Sequence, residues 1–185
     1  MTRPIIKISL LAPFESALRA RAYEALYAVK LALREHNEGG DLSGWLIELV
    51  ALDWGAPNHV QVRQIEAIAA DPDIFQVIVL APTSEQIALL DTFTSRHLPV
   101  VFADIEEPPG GGVSASFAQR YRSVTTTIEP GPLAERVYTL TNFTLSQLEQ
   151  RIRASSTFSG NFASRGMVST RASPGPAQRV GHPTP

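Results

Sequence analysis

Four short apolar segments, each suited to a buried strand, alternate with amphipathic segments over roughly the first hundred residues. This alternation constrains the chain most, because strands joined by helices form a parallel sheet with helices on both faces. The predicted strands are residues 5–11, 46–52, 75–80 and 98–103. Ligands bind beyond the carboxyl ends of the strands in open sheets of this kind, so we expect any function in the loops that follow the strands.

The segments between the predicted strands have helical periodicity. Apolar residues recur every three or four positions in 18–33, and a second helix is predicted from about 57 to 70. The third begins with Thr83 and Gln86, which have the spacing of a capping box. We expect Ile87, Leu90 and Phe93 to place the inner face of this third helix against the sheet.

After Asp104 the pattern changes. Residues 106–112 are rich in proline and glycine, 121–128 end in a β-branched run that predicts a fifth strand, and helices are predicted over 132–141 and 144–153. Beyond 154 the chain is rich in Ser, Gly, Pro and Arg and has no periodicity. The predicted fold class is α/β: a three-layer, Rossmann-like or flavodoxin-like lobe with a mainly parallel sheet of four or five strands, ordered two, one, three, four and, if present, five. The predicted lobe spans 1–150, and a disordered Arg/Ser/Pro-rich tail spans 151–185.

Several kinds of chemistry lack their motifs in this sequence. Of 185 residues none is cysteine, which excludes disulfides, thiol catalysis and cysteine-bound zinc. The four histidines have no metal-ligand spacing, no nucleophile elbow surrounds a serine, and the glycine run 110–112 lacks the features of a phosphate loop. The net charge is −2, and no apolar run approaches the length of a membrane span. We expect no enzyme, no cofactor, no metal, no nucleic-acid partner and no membrane span.

Several segments together resemble a known family. Residues 6–14 (IKISLLAPF), 23–32 (YEALYAVKLA) followed by Asn37 and the glycine pair 39–40, and 44–50 (GWLIELV) resemble type I periplasmic solute-binding proteins. These are the branched-chain amino acid binding proteins of ABC transporters and the related ligand-binding regions of receptors. Residues 98–101 also match, and 121–124 match more weakly. The resemblance covers one lobe of a two-lobed family.

The resemblance implies binding of a small polar solute, an amino acid, by a truncated substrate-binding component of an ABC transporter, with a transporter permease as a further partner. The family is periplasmic or extracellular. Residues 5–14 follow Arg3 and could imitate a secretory signal, but Lys7 interrupts them, so we expect a first strand there. The localisation therefore stays open, and the chain as it stands would be cytoplasmic.

Three residues after the third strand are candidates for ligand binding. Ala81, Thr83 and Ser84 precede or begin a helix, whose N–H groups attract anions. In the family that the chain resembles, the matching Ser/Thr loop binds the carboxylate of an amino acid. The alternative is that Thr83 and its neighbours only cap the helix.

Three further candidates follow the other strands. Asp104 could meet a ligand ammonium, or it could be a solvated loop acid. Phe14 and Trp54 could wall a pocket, although Trp54 could instead pack at the rim of the lobe. We expect the surface formed by these loops to be exposed and to support self-association or partner binding, with Phe14 and Trp54 as the anchors.

Three other functions remain open from the sequence. The chain could be a single-lobe interaction or sensor module, a flavodoxin-like or nucleotide-binding enzyme, or a truncated product without independent function. The missing glycine fingerprint argues against the enzyme, and fold alone does not separate the others.

Overall fold

Four parallel strands form the centre of the protein. The computed structural model describes residues 3–40, 44–54, 58–106 and 112–157. Within these ranges the strands are β1 Ile5–Ala12, β2 Leu46–Asp53, β3 Ile74–Ala81 and β4 Val100–Asp104. The helices are α1 Arg19–Gly39, α2 Asn58–Ala70, α3 Thr83–Thr94, α4 Ala115–Tyr121 and α5 Pro132–Thr157.

The strands lie in the order β2-β1-β3-β4, which confirms the predicted topology. β1 is central, so that Leu10 pairs with Ala51 on one side and with Ile78 on the other. Every residue of β1 from Ile8 to Ala12 is fully buried. An apolar strand buried on both faces and both edges is the arrangement that a continuous apolar run favours in a parallel sheet.

The strand order places the helices in two layers. Crossovers between parallel strands are right-handed. The α1 helix connects β1 to β2 in one direction along the sheet, and α2 connects β2 to β3 in the opposite direction. The two helices therefore cover opposite faces of the sheet. One core joins Leu11 and Val79 of the sheet with Ile65 of α2 and Phe93 of α3. On the other face α1 contacts α4, where the buried Tyr121 donates its hydroxyl to the Glu24 carbonyl at 2.9 Å. It also contacts α5, where the Tyr138 hydroxyl donates to Glu35 Oε2 at 2.6 Å.

The side chain of Glu24 fixes the start of α5. Its Oε1 accepts hydrogen bonds from the N–H of Gly131 at 3.0 Å and of Ala134 at 2.9 Å. These are N–H groups at a helix start, which have no partner within the helix. A Cβ at Gly131 would lie 2.7 Å from Glu24 Oε1, so a larger residue there would require the Glu24 carboxylate to move.

The predicted fifth strand is wrong. Residues 121–128 hold the end of α4 and a series of turns, in which Val124 N–H and Thr125 N–H both donate to the Tyr121 carbonyl. The β-branched run favours a strand locally, but the buried Tyr121 ring and its bond to α1 fix a different path.

The two helices predicted over 132–141 and 144–153 are a single helix, α5. Thr141 and Thr144 at the predicted break are buried, and Thr141 Oγ1 donates back to the Val137 carbonyl at 2.7 Å. The α5 helix continues to Thr157, past the predicted boundary at 150. Residues 158–185 lie outside the described residues, so the disordered tail stays a prediction.

No helix in the described ranges has the length and apolarity needed to cross a bilayer.

The expected inner face of α3 is only partly correct. Phe93 is fully buried, but Ile87 is 78% exposed and Leu90 45% exposed. Gln86 and Leu89 are instead half-buried, and Leu89 packs on the core with Phe93. The inner face is therefore rotated by about one residue from the predicted one.

The outer edge of β2 is closed by a side chain of α1. Asn37 Nδ2 donates to the Ile47 carbonyl at 2.9 Å, and Asn37 Oδ1 accepts from the Ile47 N–H at 2.9 Å. The amide thus satisfies both backbone groups of Ile47, as a neighbouring strand would.

We predict that Asn37→Ala lowers the free energy of unfolding by about 1–3 kcal/mol, because it leaves the Ile47 N–H and carbonyl without this partner. Urea denaturation followed by circular dichroism measures this change. The adjacent exposed acid provides the control, since Glu38→Ala should change stability by less than about 0.5 kcal/mol. Equal effects of the two substitutions would show that the amide bridge does not stabilise the edge.

Candidate functional site

The carboxyl ends of the four strands meet at one edge of the sheet, here called the carboxyl edge. The chain leaves β1 toward α1 on one face and leaves β3 toward α3 on the other. β1 and β3 are neighbours, so a crevice opens between the loops 13–16 and 81–84, which is the position of ligand sites in such sheets. The predicted site residues all lie at or just beyond this edge.

Thr83 and Asp104 form the best-defined polar pair at the carboxyl edge. Pairing of Ala81 with Asp104 in the β3–β4 ladder places the two loops side by side. Thr83 Oγ1 donates to Asp104 Oδ2 at 2.6 Å, and the Glu106 N–H donates to Asp104 Oδ1 at 2.9 Å. Both carboxylate oxygens are therefore oriented by the protein.

The surroundings of Asp104 favour its charged form. The Thr83 hydroxyl bond is the largest influence and lowers the pKa of Asp104 below its usual value. Partial burial opposes this shift, while the Glu106 N–H and the positive charges of Arg136 and Arg21 also lower the pKa. Asp104 is therefore a carboxylate at neutral pH.

The capping-box interpretation of Thr83 and Gln86 is wrong. Pro82 holds the N-cap position of α3, and in the described part of the chain no side chain bonds there as a cap. Thr83 is the first helical residue, and Gln86 Nε2 instead donates to the Ala81 carbonyl at 3.0 Å. The N–H groups of Thr83 and Ser84 therefore carry the positive end of the helix dipole to the carboxyl edge.

The remaining candidate side chains differ in how far they are exposed at the carboxyl edge. Ala81 is fully buried, so its side chain lies in the core. Ser84 is exposed at the start of α3. Phe14 is half-buried, and its ring meets Tyr23 of α1 edge-on with centroids 5.3 Å apart.

Trp54 lies inside the molecule. It is 6% exposed, its ring centroid is 6.2 Å from that of Phe93, and it belongs to the core beneath α2 and α3. Only its backbone lies at the carboxyl edge, where the Trp54 N–H donates to the Ala12 carbonyl at 2.7 Å. The expectation of an exposed Trp54 anchor for self-association is therefore wrong, and the alternative of a packed residue is correct.

Sequence reasoning missed three residues near this edge: Arg21, Tyr23 and Arg136. Arg21 and Tyr23 lie in the first turns of α1, and Arg136 lies near the start of α5, where Glu24 holds that helix against α1. Nothing local in the sequence brings the charge of Arg136 within range of Asp104, because its approach depends on the return of α5. Within the described ranges no group of three or more acidic or histidine side chains is arranged to hold a metal ion.

No family model and no curated protein sequence matches this chain. Solved structures do match. A protein provisionally assigned as a branched-chain amino acid ABC transporter from Rhodospirillum rubrum is 16% identical with a TM-score of 0.50, covering 56% of this chain and 30% of its own. A branched-chain amino acid transporter substrate-binding protein from Streptococcus pneumoniae, in complex with isoleucine, is 19% identical with a TM-score of 0.46, covering 60% and 30%. A solute-binding protein from R. palustris, in complex with 4-hydroxybenzoate, is 14% identical with a TM-score of 0.44, covering 75% and 43%.

The similarity to the Rhodospirillum rubrum protein confirms the resemblance at the level of the fold. The chain has the α/β architecture of a lobe of such proteins, and it spans about 30% of the length of that relative. At this identity the similarity describes the fold and assigns no ligand or activity to the chain.

We predict that Thr83→Val raises the pKa of Asp104 toward its usual value, because the substitution removes the hydroxyl donor that lowers it most. Carboxyl carbon shifts followed by NMR over pH 2–6 report this value. The bond stabilises the fold above the unfolded pKa of Asp104, and this stabilisation is lost as pH falls through the lower folded value. The control Ser84→Ala should leave the titration unchanged, and an unchanged titration in Thr83→Val would contradict the assignment of this bond.

Proposed function

We propose that this chain binds a small polar solute, an amino acid, at the carboxyl edge without transforming it. The observation that carries the proposal is the oriented Thr83–Asp104 pair beside an α3 start without a side-chain cap. An amino acid has a carboxylate and an ammonium on adjacent atoms. The edge offers a complementary group for each.

The α3 start suits the carboxylate of the ligand. The N–H groups of Thr83 and Ser84 lie at the positive end of a helix of twelve residues, where anions are stabilised. The exposed Ser84 hydroxyl adds a second kind of donor to the same group.

Asp104 suits the ammonium. Its pKa is lowered, first by the Thr83 hydroxyl, so it is charged at neutral pH, where an amino acid is a zwitterion. Thr83 Oγ1 donates its proton to Asp104 and so retains lone pairs that can accept from the same ammonium. The Phe14–Tyr23 pair offers an aromatic surface to the ligand side chain.

The fold similarity supports a role in transport. The Rhodospirillum rubrum protein is assigned to branched-chain amino acid ABC transport, and this chain corresponds to about 30% of it. The proposed function is therefore that of one lobe of a substrate-binding component, with contact to a transporter permease as part of the same proposal. A ligand on one lobe makes about half of its contacts, so a binding energy of about 8 kcal/mol falls to about 4 and the affinity to about millimolar.

Isothermal calorimetry of the full chain tests this function. Leucine, isoleucine, valine and polar amino acids are titrated, and we expect at least one to bind with a dissociation constant of about 1 mM. Two truncated ligands separate the subsites: 4-methylpentanoate has the carboxylate without the ammonium, and isopentylamine the reverse. Each should bind at least about tenfold more weakly than leucine.

Asp104→Asn should remove the preference for leucine over 4-methylpentanoate, because it removes the charge that meets the ammonium. The matched control is Asp91→Asn, an exposed acid on α3 beyond the carboxyl edge, which should leave all affinities unchanged. Submicromolar binding by the monomer would contradict the single-lobe argument. Absence of amino acid binding at about 10 mM would contradict the proposed function.

A further inference from the structure

The outer edge of β4 differs from the outer edge of β2. Asn37 closes the β2 edge at Ile47, whereas within the described ranges β4 pairs with β3 alone. We propose that a second copy of this chain occupies the β4 edge, with the two β4 strands antiparallel across a twofold axis, so that the sheets join into one of eight strands.

The backbone groups available for this pairing follow from the β3–β4 ladder. The Pro99 carbonyl accepts from the Val77 N–H at 2.8 Å and so points toward β3. Backbone groups alternate along a strand, so those of Val101 and Ala103 also face β3, and those of Val100 and Phe102 face outward. β4 has no charged side chain before Asp104 and is rich in β-branched residues, which is the kind of edge that recruits another strand.

Charge complementarity fixes the direction and the register. Basic residues precede β4 at Arg96 and His97, and Glu106 follows it, so antiparallel pairing brings opposite charges together. With Val101 on the twofold axis, the turn that carries Arg96 in each copy lies toward the end of the partner β4 strand that leads to Glu106. The same register makes Val100 and Phe102 of the two copies a hydrogen-bonded pair, which agrees with their outward backbone groups.

An exposed stripe of α3 supports the same contact independently. Thr83, Ile87, Leu90 and Thr94 have the spacing of one helix face. The bond from Thr83 to Asp104 places this stripe on the side of α3 next to β4. A twofold axis that relates antiparallel strands is perpendicular to the sheet, so the two α3 helices lie on the same face. The contact buries Ile87 and Leu90, which are 78% and 45% exposed in the single chain.

Sedimentation velocity of the full chain tests the proposal. We expect the mass to rise from 20.1 kDa toward twice that value as concentration increases. Ile87→Asp should weaken the dimer at least about tenfold, because the contact buries this side chain. Phe143→Asp is the matched control, since Phe143 is 62% exposed on α5 and should leave the dimer unchanged. A chain that stays monomeric at about 1 mM, or a dimer that Ile87→Asp does not weaken, would overturn the proposal.

A charge exchange tests the register. Arg96→Glu alone and Glu106→Arg alone should each weaken the dimer, and the double variant should restore it, whereas failure of restoration would overturn this register.

Hydrogen exchange adds a measurement that does not depend on any variant. The amides of Val100 and Phe102 should exchange more slowly as concentration rises, while those of Val101 and Ala103 should not change. If higher concentration slows amide exchange at other residues but not at Val100 and Phe102, the β4 pairing is overturned.

Discussion

The rest of the structure depends on the pairing of β1 on both of its edges. β1 pairs in parallel with β2 and β3, and its residues from Ile8 to Ala12 are fully buried. Parallel neighbours require crossover helices, and these in turn cover both faces of the sheet. The arrangement has a cost at Ser9, whose hydroxyl is fully buried and finds no hydrogen-bond partner within the described residues.

Two interactions between distant residues set the ends of this framework. At the amino end of the sheet Lys7 Nζ lies 2.8 Å from Asp71 Oδ2 and 3.4 Å from Asp73 Oδ2, and these bonds raise the pKa of Lys7 and lower that of Asp71. At the start of α5 Glu24 accepts two backbone bonds and so directs the helix that carries Arg136. The chemistry at Asp104 therefore depends on an α1 side chain outside the site, because Glu24 positions the helix whose positive charge contributes to the lowered pKa of Asp104.

The sequence predicted the features of the fold that depend on local residue patterns. Apolar runs predicted the four strands, and their alternation with helices predicted the parallel sheet covered on both faces. It did not predict features that depend on distant contacts: the β-branched run near Thr125 became turns once Tyr121 packed on α1. The inner face of α3 was misassigned because the apolar side chains of Ile87 and Leu90 are exposed, while Leu89 packs on the core. Of the candidate site, Thr83 and Asp104 were named and do meet, whereas Trp54 packs in the core, and Arg136 could not be found without the path of α5.

We propose that this chain binds its ligand at the carboxyl edge around Thr83 and Asp104. An NMR titration of the ¹⁵N-labelled full chain with isoleucine would locate the bound ligand. We expect the backbone amides of Thr83, Ser84 and Asp104 to shift together and saturate at about millimolar ligand, while those of Lys7 and Asp71 at the opposite end stay unchanged. Shifts confined to any other part of the molecule, or none at about 10 mM isoleucine, would contradict it.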